Sequence, residues 1–427
     1  MNLIIHRGTK EIGGTCAELQ TENSRILIDF GLPLVDENKD QFDFKGIRDK
    51  SEEGLIEIGL LPKIDGLYES DTPKFDGVLL SHPHPDHFGL LPYVNSKIPV
   101  FTSRGCKELL DVSSFFNQTV CNLENIRIIK PWEEFQLGGF SVMPYLVDHS
   151  GFDALAFLIE ADGKRLFYSG DFRGHGRKSV LFDNILKDPP DKIDYLLLEG
   201  TALESEEGQF ETEEDVENEL VNILGEGDSQ FFFACSSQNI DRLVSGYKAC
   251  VRTNSTLVID PYTAFVLDKL KAVSSNIPQY DWGNNIKIYF APNSYTKKMG
   301  EQNELYRFKS AKITFQEMVQ SKGKFLIKDS YAVRKTFANK NEMGNTKLIY
   351  SMWSGYLPDV KPFWEKENVP IIEVHTSGHA FVGELQKFVK AINPSRIVPI
   401  HTFYPEKYKD YFDYEILNVI DGQVSEL

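Results

Sequence analysis

Short apolar runs separated by polar turns fill the N-terminal half of the chain. "MNLIIHRG", "TCAELQ" and "RILIDFG" are each too short for a helix and are bounded by Gly or polar residues, so they read as strands. An irregular stretch rich in Asp, Glu, Gly and Pro follows, over about residues 32 to 74. "DGVLLS" then predicts a buried strand, and "FGLLPYVNS" a helix just after it. A short strand around Met143 to Val147 precedes "ALAFLIEADGKRLFYSGD", a hairpin turning at Ala161-Asp162-Gly163. "DYLLLEGT" is another buried strand that ends on polar residues.

Beyond the acidic stretch near residue 210 the period changes. "EDVENELVNILGEG" is an amphipathic helix with a Gly stop, "SQFFFACSS" a strand and "NIDRLVSGYKACVRT" a helix, and "STLVID" with "AFVLDKLKAV" repeats the alternation. The tail returns to strands in "VPIIEVHTSGHA" and "RIVPIHT", with a helix through "VGELQKFVKAI" between them. The expected organisation is one domain made of residues 1–200 and 356–427, with an α/β domain inserted at 201–355.

Composition changes this picture little. The chain has 427 residues, 26% of them charged, with 30 Phe and 18 Tyr, which suits a folded globular protein of two or three domains. No apolar run nears the roughly 20 residues needed to cross a bilayer, and "MNLIIHRGTKEIGG" lacks a leader pattern, so a cytoplasmic protein without membrane association is expected. Cys16, Cys106, Cys121, Cys235 and Cys250 show no CxxC spacing and read as free buried thiols. The net charge of −17 argues against nonspecific wrapping of DNA. The charge is segregated, however: residues 287–347 hold 13 Lys or Arg against 5 acids, whereas residues 204–219 hold nine acids and no base. Such runs are ordinarily solvated faces. The basic segment still leaves room for a local polyanion site.

The candidate chemistry lies in "LLSHPHPDHFGLLPYV", which sets three histidines and an aspartate within six positions. Pro83 and Pro85 push the residues before them toward extended geometry, so His82 and His84 aim at one point. Asp86 and His87 follow where strand becomes helix and can face a neighbouring point. Imidazoles and carboxylates in this pattern suit zinc, and two metals about 3.5–4 Å apart would clamp a reacting oxygen. Further ligands follow apolar strands: His149 in "YLVDHSGFDA", Asp171 in "LFYSGDFRG" and His401 in "RIVPIHTFY". His6, His175 and His375 read as structural or surface residues.

"SHPHPDH", "DHSGFD", "YSGDFR" and the upstream "ILIDFG" resemble the metallo-β-lactamase fold superfamily. The resemblance implies an α/β fold, an αββα sandwich with a dinuclear metal site at the edge of its two sheets. His82, His84 and His149 would hold one zinc, Asp86, His87 and a last histidine the other, with Asp171 bridging both and Asp29 supporting the site through hydrogen bonds. Manganese is the alternative metal. Glu199 in "YLLLEGT", His379 in "EVHTSGHA" and His401 in "VPIHT" resemble the acidic and two histidine motifs of the β-CASP nucleases, the branch that contains RNase J. "SSQNIDRLVSGY" is similar to the RNase J segment after the first strand of the inserted domain.

This second resemblance implies metal-dependent phosphodiester hydrolysis of RNA, exo- or endonucleolytic, by hydroxide bridging two zinc ions in a cleft between the two domains. Single-stranded DNA is the alternative substrate, and a dimer is one option for the assembly. His401 would complete the second metal, Asp86 would be both ligand and catalytic carboxylate, and His379 would approach the scissile phosphate with Glu199 supporting the histidines. A phosphodiester gains negative charge on attack, so two cations and a donor are the parts required. Ser377 and Gly378 form a turn able to bind phosphate oxygens through N–H groups and a hydroxyl, with a plain tight turn as the competing reading.

The chain departs from RNase J in places. It ends 26 residues after His401, so a further C-terminal domain is expected to be absent. "KLIYSMWSGYLPD" stands where a Gly-rich stretch is expected, and "PIHTFYPEKY" lacks a His-Gly-Glu ending. Trp353, Tyr356 and Phe403 could stack on bases, though core packing is the expectation. Two other functions fit the superfamily: a small-molecule lactonase or phosphoesterase, and a noncatalytic partner subunit of a nuclease.

Overall fold

A computed structural model of the protein describes residues 1–35, 42, 50–118, 125–204, 210–227, 229–283 and 285–427. Cys121 and residues 205–209 of the acidic run lie outside the described residues. The chain divides into two compact units, one of Met1–Gly174, Lys178–Glu206 and Gly378–Leu427, the other of His175–Arg177 and Glu207–Ser377.

The first unit holds two seven-stranded sheets. One contains β1 (Asn2–Arg7), β2 (Cys16–Gln20), β3 (Arg25–Ile28), β4 (Gly77–Leu79), β5 (Val100–Thr102) and β6 (Ile126–Ile128). The other contains β7 (Phe135–Leu137), β8 (Phe140–Leu146), β9 (Leu155–Ala161), β10 (Lys164–Tyr168) and β11 (Tyr195–Glu199). The second unit supplies β12 (Gln230–Ala234), β13 (Thr256–Ile259), β14 (Ile286–Tyr289), β15 (Lys312–Ile313), β16 (Phe325–Lys328), β17 (Thr346–Tyr350) and β18 (Ile371–Glu373). The chain then returns to the first unit with β19 (Arg396–Ile400), β20 (Glu415–Ile416) and β21 (Val424–Glu426). The strand orders are β21-β1-β2-β3-β4-β5-β6 and β20-β19-β11-β10-β9-β8-β7.

Period-two alternation builds the layers. Ile26 and Ile28 of β3 join a buried cluster with Leu166, Tyr168 and Leu197 of the other sheet, while Leu27 packs the opposite way with Leu55, Phe88 and Leu110. Phe167, Leu196 and Leu198 likewise face away from the shared core. They pack on Phe182 and Ile185 of helix Ser179–Lys187 and on Leu385, Phe388 and Val389 of helix Val382–Ile392. Helices cover both outer faces, so this unit is the expected αββα sandwich. Each fully buried Leu, Ile or Phe contributes about 1.5–3 kcal/mol, which makes two-sided burial the main force holding these short strands. The predicted β9–β10 hairpin is present, with Ala161 opposite Lys164 and both turn residues, Asp162 and Gly163, at positive φ (51° and 73°).

Where a continuous helix was expected over "FGLLPYVNS", there is a four-residue helix, Pro85–Phe88, and a separate 3₁₀ turn, Leu91–Tyr93. Pro92 has no N–H to continue an α-helical ladder, and Gly89 closes the first piece as its C-cap.

The second unit carries a seven-stranded, all-parallel sheet in the order β15-β14-β13-β16-β12-β17-β18. Helices such as Glu213–Gly225, Ile240–Arg252 and Pro261–Leu270 alternate with its strands, as the period had predicted. Part of the acidic run caps one of them: Glu213, Glu214 and Asp215 fill the first turn of Glu213–Gly225, where carboxylates oppose the helix dipole. The unit extends past the expected boundary at residue 355, because β18 pairs with β17 (Leu348 opposite Ile371) and carries the sheet on to Ser377. Trp353 and Tyr356 are not core residues, being 62% and 40% exposed.

Candidate metal centre

The carboxyl ends of parallel neighbours deliver the candidate residues. Asp29 follows β3 and Ser81-His82 follows β4, its neighbour in register at Ile28 and Leu79. Asp171 follows β10, Glu199 ends β11 and His401 follows β19, three parallel neighbours of the second sheet. His149 lies in the loop between β8 and β9. His84 is extended (φ −87°, ψ 142°) between its prolines, as their sterics predicted, and serves as N-cap of the helix bearing Asp86 and His87.

Potential ligand atoms fall into three groups, each with all atoms within 4.8 Å of one another: His82, His84 and His149; Asp86, His87, Asp171 and His401; and His149, Asp171 and His379. Every metal candidate drawn from the sequence is thus brought together, and His379 joins them. Buried polar atoms without hydrogen-bond partners converge here: His82 Nε2, His87 Nε2, His149 Nδ1 and both oxygens of Asp171. Unpartnered buried polar atoms cost roughly 1–3 kcal/mol each. Nitrogen and oxygen donors left open in this way fit one or more divalent cations.

Asp29 organises the histidines. It is fully buried, and its carboxylate accepts from the Ser81 amide at 2.7 Å, Ser81 Oγ at 2.7 Å, Tyr168 Oη at 2.7 Å and His87 Nδ1 at 2.8 Å. With its Nδ1 proton committed to Asp29, His87 turns Nε2 toward Asp171, 3.1 Å away. Ser81 Oγ, whose proton goes to Asp29, lies 3.0 Å from His82 Nδ1, so it accepts from that nitrogen and leaves Nε2 open. His401 is held by Thr201 Oγ1 at 2.9 Å from Nδ1, and by the Gly13 amide, which donates to Nε2 over 3.1 Å.

Electrostatics sort the imidazoles into two kinds. Burial, with repulsion from neighbouring imidazoles, pushes His82 and His149 well below the usual histidine range, and burial takes His84 down to about 4. These rings stay neutral, the form that ligates metal. Burial opposes protonation of His87 as well, but Asp171, Asp29 and Asp86 overcome it and hold the ring well above the usual range. Asp86 is held down at about 2, because His87 and His401 outweigh its burial. The carboxylates therefore demand a cation, and a metal would take the place of that proton.

His379 stands apart in its partners. Its Nδ1 lies 3.1 Å from Glu199 Oε2 and 3.8 Å from Asp171 Oδ2. Burial alone would lower its pKa, but Glu199, Asp171 and Asp86 raise it to about 9. Glu199 is itself fixed, accepting from the amides of Phe172 at 3.0 Å and Thr201 at 3.3 Å. Gly378 packs closely on Ser150, since a Cβ there would lie 2.5 Å from Ser150 Oγ. Ser377 is the last residue of the second unit, where its carbonyl oxygen accepts from His175 Nε2 at 3.0 Å. His6 pairs with Glu18 at 2.8 Å and His375 lies 3.0 Å from Arg242, so neither joins a candidate group.

Sequence reasoning missed Ser81, Tyr168, Thr201 and the Gly13 amide. Ser81 and Tyr168 carried a signal, each a polar residue at the end of an apolar strand that leads into a ligand motif. Thr201 and Gly13 carried none, because their role depends on a histidine hundreds of residues away.

Comparisons with known proteins agree with this geometry. Residues 62–224 match the beta-lactamase superfamily domain, and residues 369–412 match the Zn-dependent metallo-hydrolase RNA specificity domain. Ribonuclease J of Mycoplasma genitalium is 22% identical over 92% of this chain, which spans 66% of that protein's length. An RNase J-like protein of Methanocaldococcus jannaschii is 21% identical over 93% of the chain and 92% of its own length. The crystal structure of a protein of unknown function from Enterococcus faecalis V583 superposes with a TM-score of 0.81 over the whole chain and 99% of its own, at 22% identity. Fold and site together define a metallohydrolase of the metallo-β-lactamase superfamily. Within it, the chain is RNase J-like, similar to proteins of the β-CASP branch.

Proposed function

We propose that the chain hydrolyses phosphodiester bonds of RNA at a centre of two divalent ions, zinc first and manganese as the alternative. His82, His84 and His149 would hold one ion and Asp86, His87 and His401 the other, with Asp171 shared. The observation that carries this reading is the convergence of these seven residues around buried donor atoms that have no protein partner. Bound zinc lowers the pKa of water toward 7 and so supplies hydroxide at neutral pH. The chain's own residues supply the rest. Protonated His379, held against Glu199, presents positive charge and an N–H to an oxygen of the phosphodiester as its negative charge grows. Gly378 and the adjacent Ser377 offer backbone N–H groups to the phosphate. RNA, rather than a small ester, is favoured by the match at residues 369–412 and by relatives named ribonuclease J. Single-stranded DNA is the competing polymer.

The test incubates metal-loaded protein and a His84→Ala, Asp86→Ala double variant with RNA and single-stranded DNA labelled at either end. Cleavage that the double variant loses is expected on RNA, and its absence on every substrate refutes the proposal. Mononucleotides released from one end identify an exonuclease and fix its direction. His379→Ala should lower kcat by about 10²–10⁴-fold while leaving bound metal unchanged, as removal of a proton donor does.

A further inference from the structure

We propose that Trp353 and Tyr356 form a stacking platform for unpaired nucleobases of the RNA, an inference that rests on the ribonuclease reading above. The two rings lie 5.2 Å apart at 88°, edge to face. Both are exposed, at 62% and 40%; Trp282, Tyr306 and Tyr331 of the same unit are exposed as well, whereas Phe232, Phe337 and Trp364 are buried in its core. Two contacts place the pair in its loop. A Cβ at Gly355 would lie 2.3–2.6 Å from three atoms of the Trp353 ring, so in this arrangement the indole packs directly over Gly355. Tyr350 Oη donates to the Trp353 carbonyl at 2.8 Å and pins the loop to the end of β17. An aromatic face held open at low entropy cost is what base stacking uses, and it tolerates any base because every base has a π-face.

The position in the fold points to the same occupant. The platform follows the carboxyl end of β17, the edge at which parallel α/β sheets present their ligand-binding loops. At that edge the fully buried Arg242 ties the neighbouring strand ends together. Its Nη1 donates to Ser351 O at 2.8 Å and Ser351 Oγ at 2.7 Å, and its Nη2 donates to Thr376 O at 3.2 Å. Ser351 Oγ in turn donates to Val374 O. The platform is therefore framed together with residues 374–376, which lead directly into the Ser377-Gly378 turn assigned to phosphate. Charge does not oppose RNA here. The second unit holds 21 Lys or Arg against 22 Asp or Glu, so the first unit carries nearly all of the chain's −17.

Intrinsic fluorescence and kinetics test the platform on the whole chain. In EDTA, a decamer of uridylate should quench tryptophan emission, and an abasic phosphodiester of equal length should not. The quench should vanish in Trp353→Phe, which separates Trp353 from the exposed Trp132 and Trp282. With metal restored, Trp353→Ala should raise KM for the decamer about five- to a hundredfold with kcat unchanged, the loss expected for one stacked base. Trp353→Phe should recover most of it, and Gly355→Val, which displaces the indole, should mimic Trp353→Ala. An unchanged KM in Trp353→Ala, with no quench in the wild type, overturns the platform while RNA cleavage by the wild type leaves the ribonuclease reading standing. Base-dependent quenching without any RNA cleavage supports the platform and sinks that reading instead. If Trp353→Ala converts a dimer to a monomer in sedimentation and leaves KM untouched, the patch is a contact between copies and the platform is refuted.

Discussion

Replacing Asp29 by Asn tests whether one buried carboxylate sets the geometry of the centre. Asp29 accepts four hydrogen bonds of 2.7–2.8 Å from Ser81, Tyr168 and His87, with no exposure to solvent. Its backbone sits at φ 56°, a region that Asn tolerates as well as Asp, so the substitution adds no backbone strain. Asn keeps the shape and can accept from the Ser81 amide with one oxygen. Its NH₂ then faces Ser81 Oγ, Tyr168 Oη and His87 Nδ1, where an acceptor is required. His87 loses the partner that holds its proton on Nδ1, and its Nε2 no longer points a lone pair into the cluster. Such a change behind a ligating histidine costs about 10–100-fold in metal affinity, or roughly 1.4–2.8 kcal/mol. Asp29→Ala strands three groups of donors outright and should cost about 3–5 kcal/mol of stability as well. The assays are zinc titration against a competing chelator, with metal stoichiometry by elemental analysis, and denaturant unfolding of the metal-free protein. An Asp29→Asn protein that binds every metal equivalent at wild-type affinity refutes the reasoning.

Two further outcomes follow from local geometry. Gly31→Ala places a Cβ 1.6 Å from the Asp86 carbonyl oxygen, which only backbone movement can relieve. The variant should lose more than about 3 kcal/mol in denaturant unfolding and bind less metal, and wild-type stability would show that the loop bearing Asp86 is freely adjustable. Asp329 is buried, and desolvation lifts its carboxyl to about 6 although Arg334 and Lys328 pull the other way. Its folded pKa lies above the usual aspartate value near 3.9, so the folded chain binds the extra proton; the favourable contribution is complete below about pH 4 and is lost as pH rises through 6. The stability of Asp329→Asn relative to wild type should therefore improve between pH 4 and pH 7, by at most about 3 kcal/mol, and a relative stability that falls or stays flat over that range counts against it.

Much of the centre was legible because its signals are local. Pro83 and Pro85 restrict His84 to extended backbone by sterics that act within two residues, and strand-end positions of Asp171, Glu199 and His401 follow from the short apolar stretches inside five-residue strands. The helix expected over "FGLLPYVNS" failed for an equally local reason, since Pro92 withholds a donor that apolar spacing alone does not register. The domain boundary was missed because β18, a run of three residues, reads as the start of the tail until it is seen hydrogen-bonded to β17. The exposure of Trp353 and Tyr356 ran against expectation because aromatic residues are ordinarily the first to be buried, and nothing in "SMWSGYLPD" reveals which face of the sheet edge it occupies.

The sequence by itself determined the inventory of ligand types, the alternation that makes one sandwich and one parallel α/β unit, and the steric stiffness of the His-Pro-His-Pro segment. These depend on neighbours within a turn or a strand. Only the tertiary structure decided that Asp29, His87, Asp171 and His401, separated by up to 372 positions, converge within one cluster, and that Nε2 is the nitrogen His82 and His87 turn into it. That orientation is set by the hydrogen bonds that Asp29 accepts from His87 and Ser81 Oγ accepts from His82, while Thr201 and Gly13 hold His401; they exist only once strands from both ends of the chain come together.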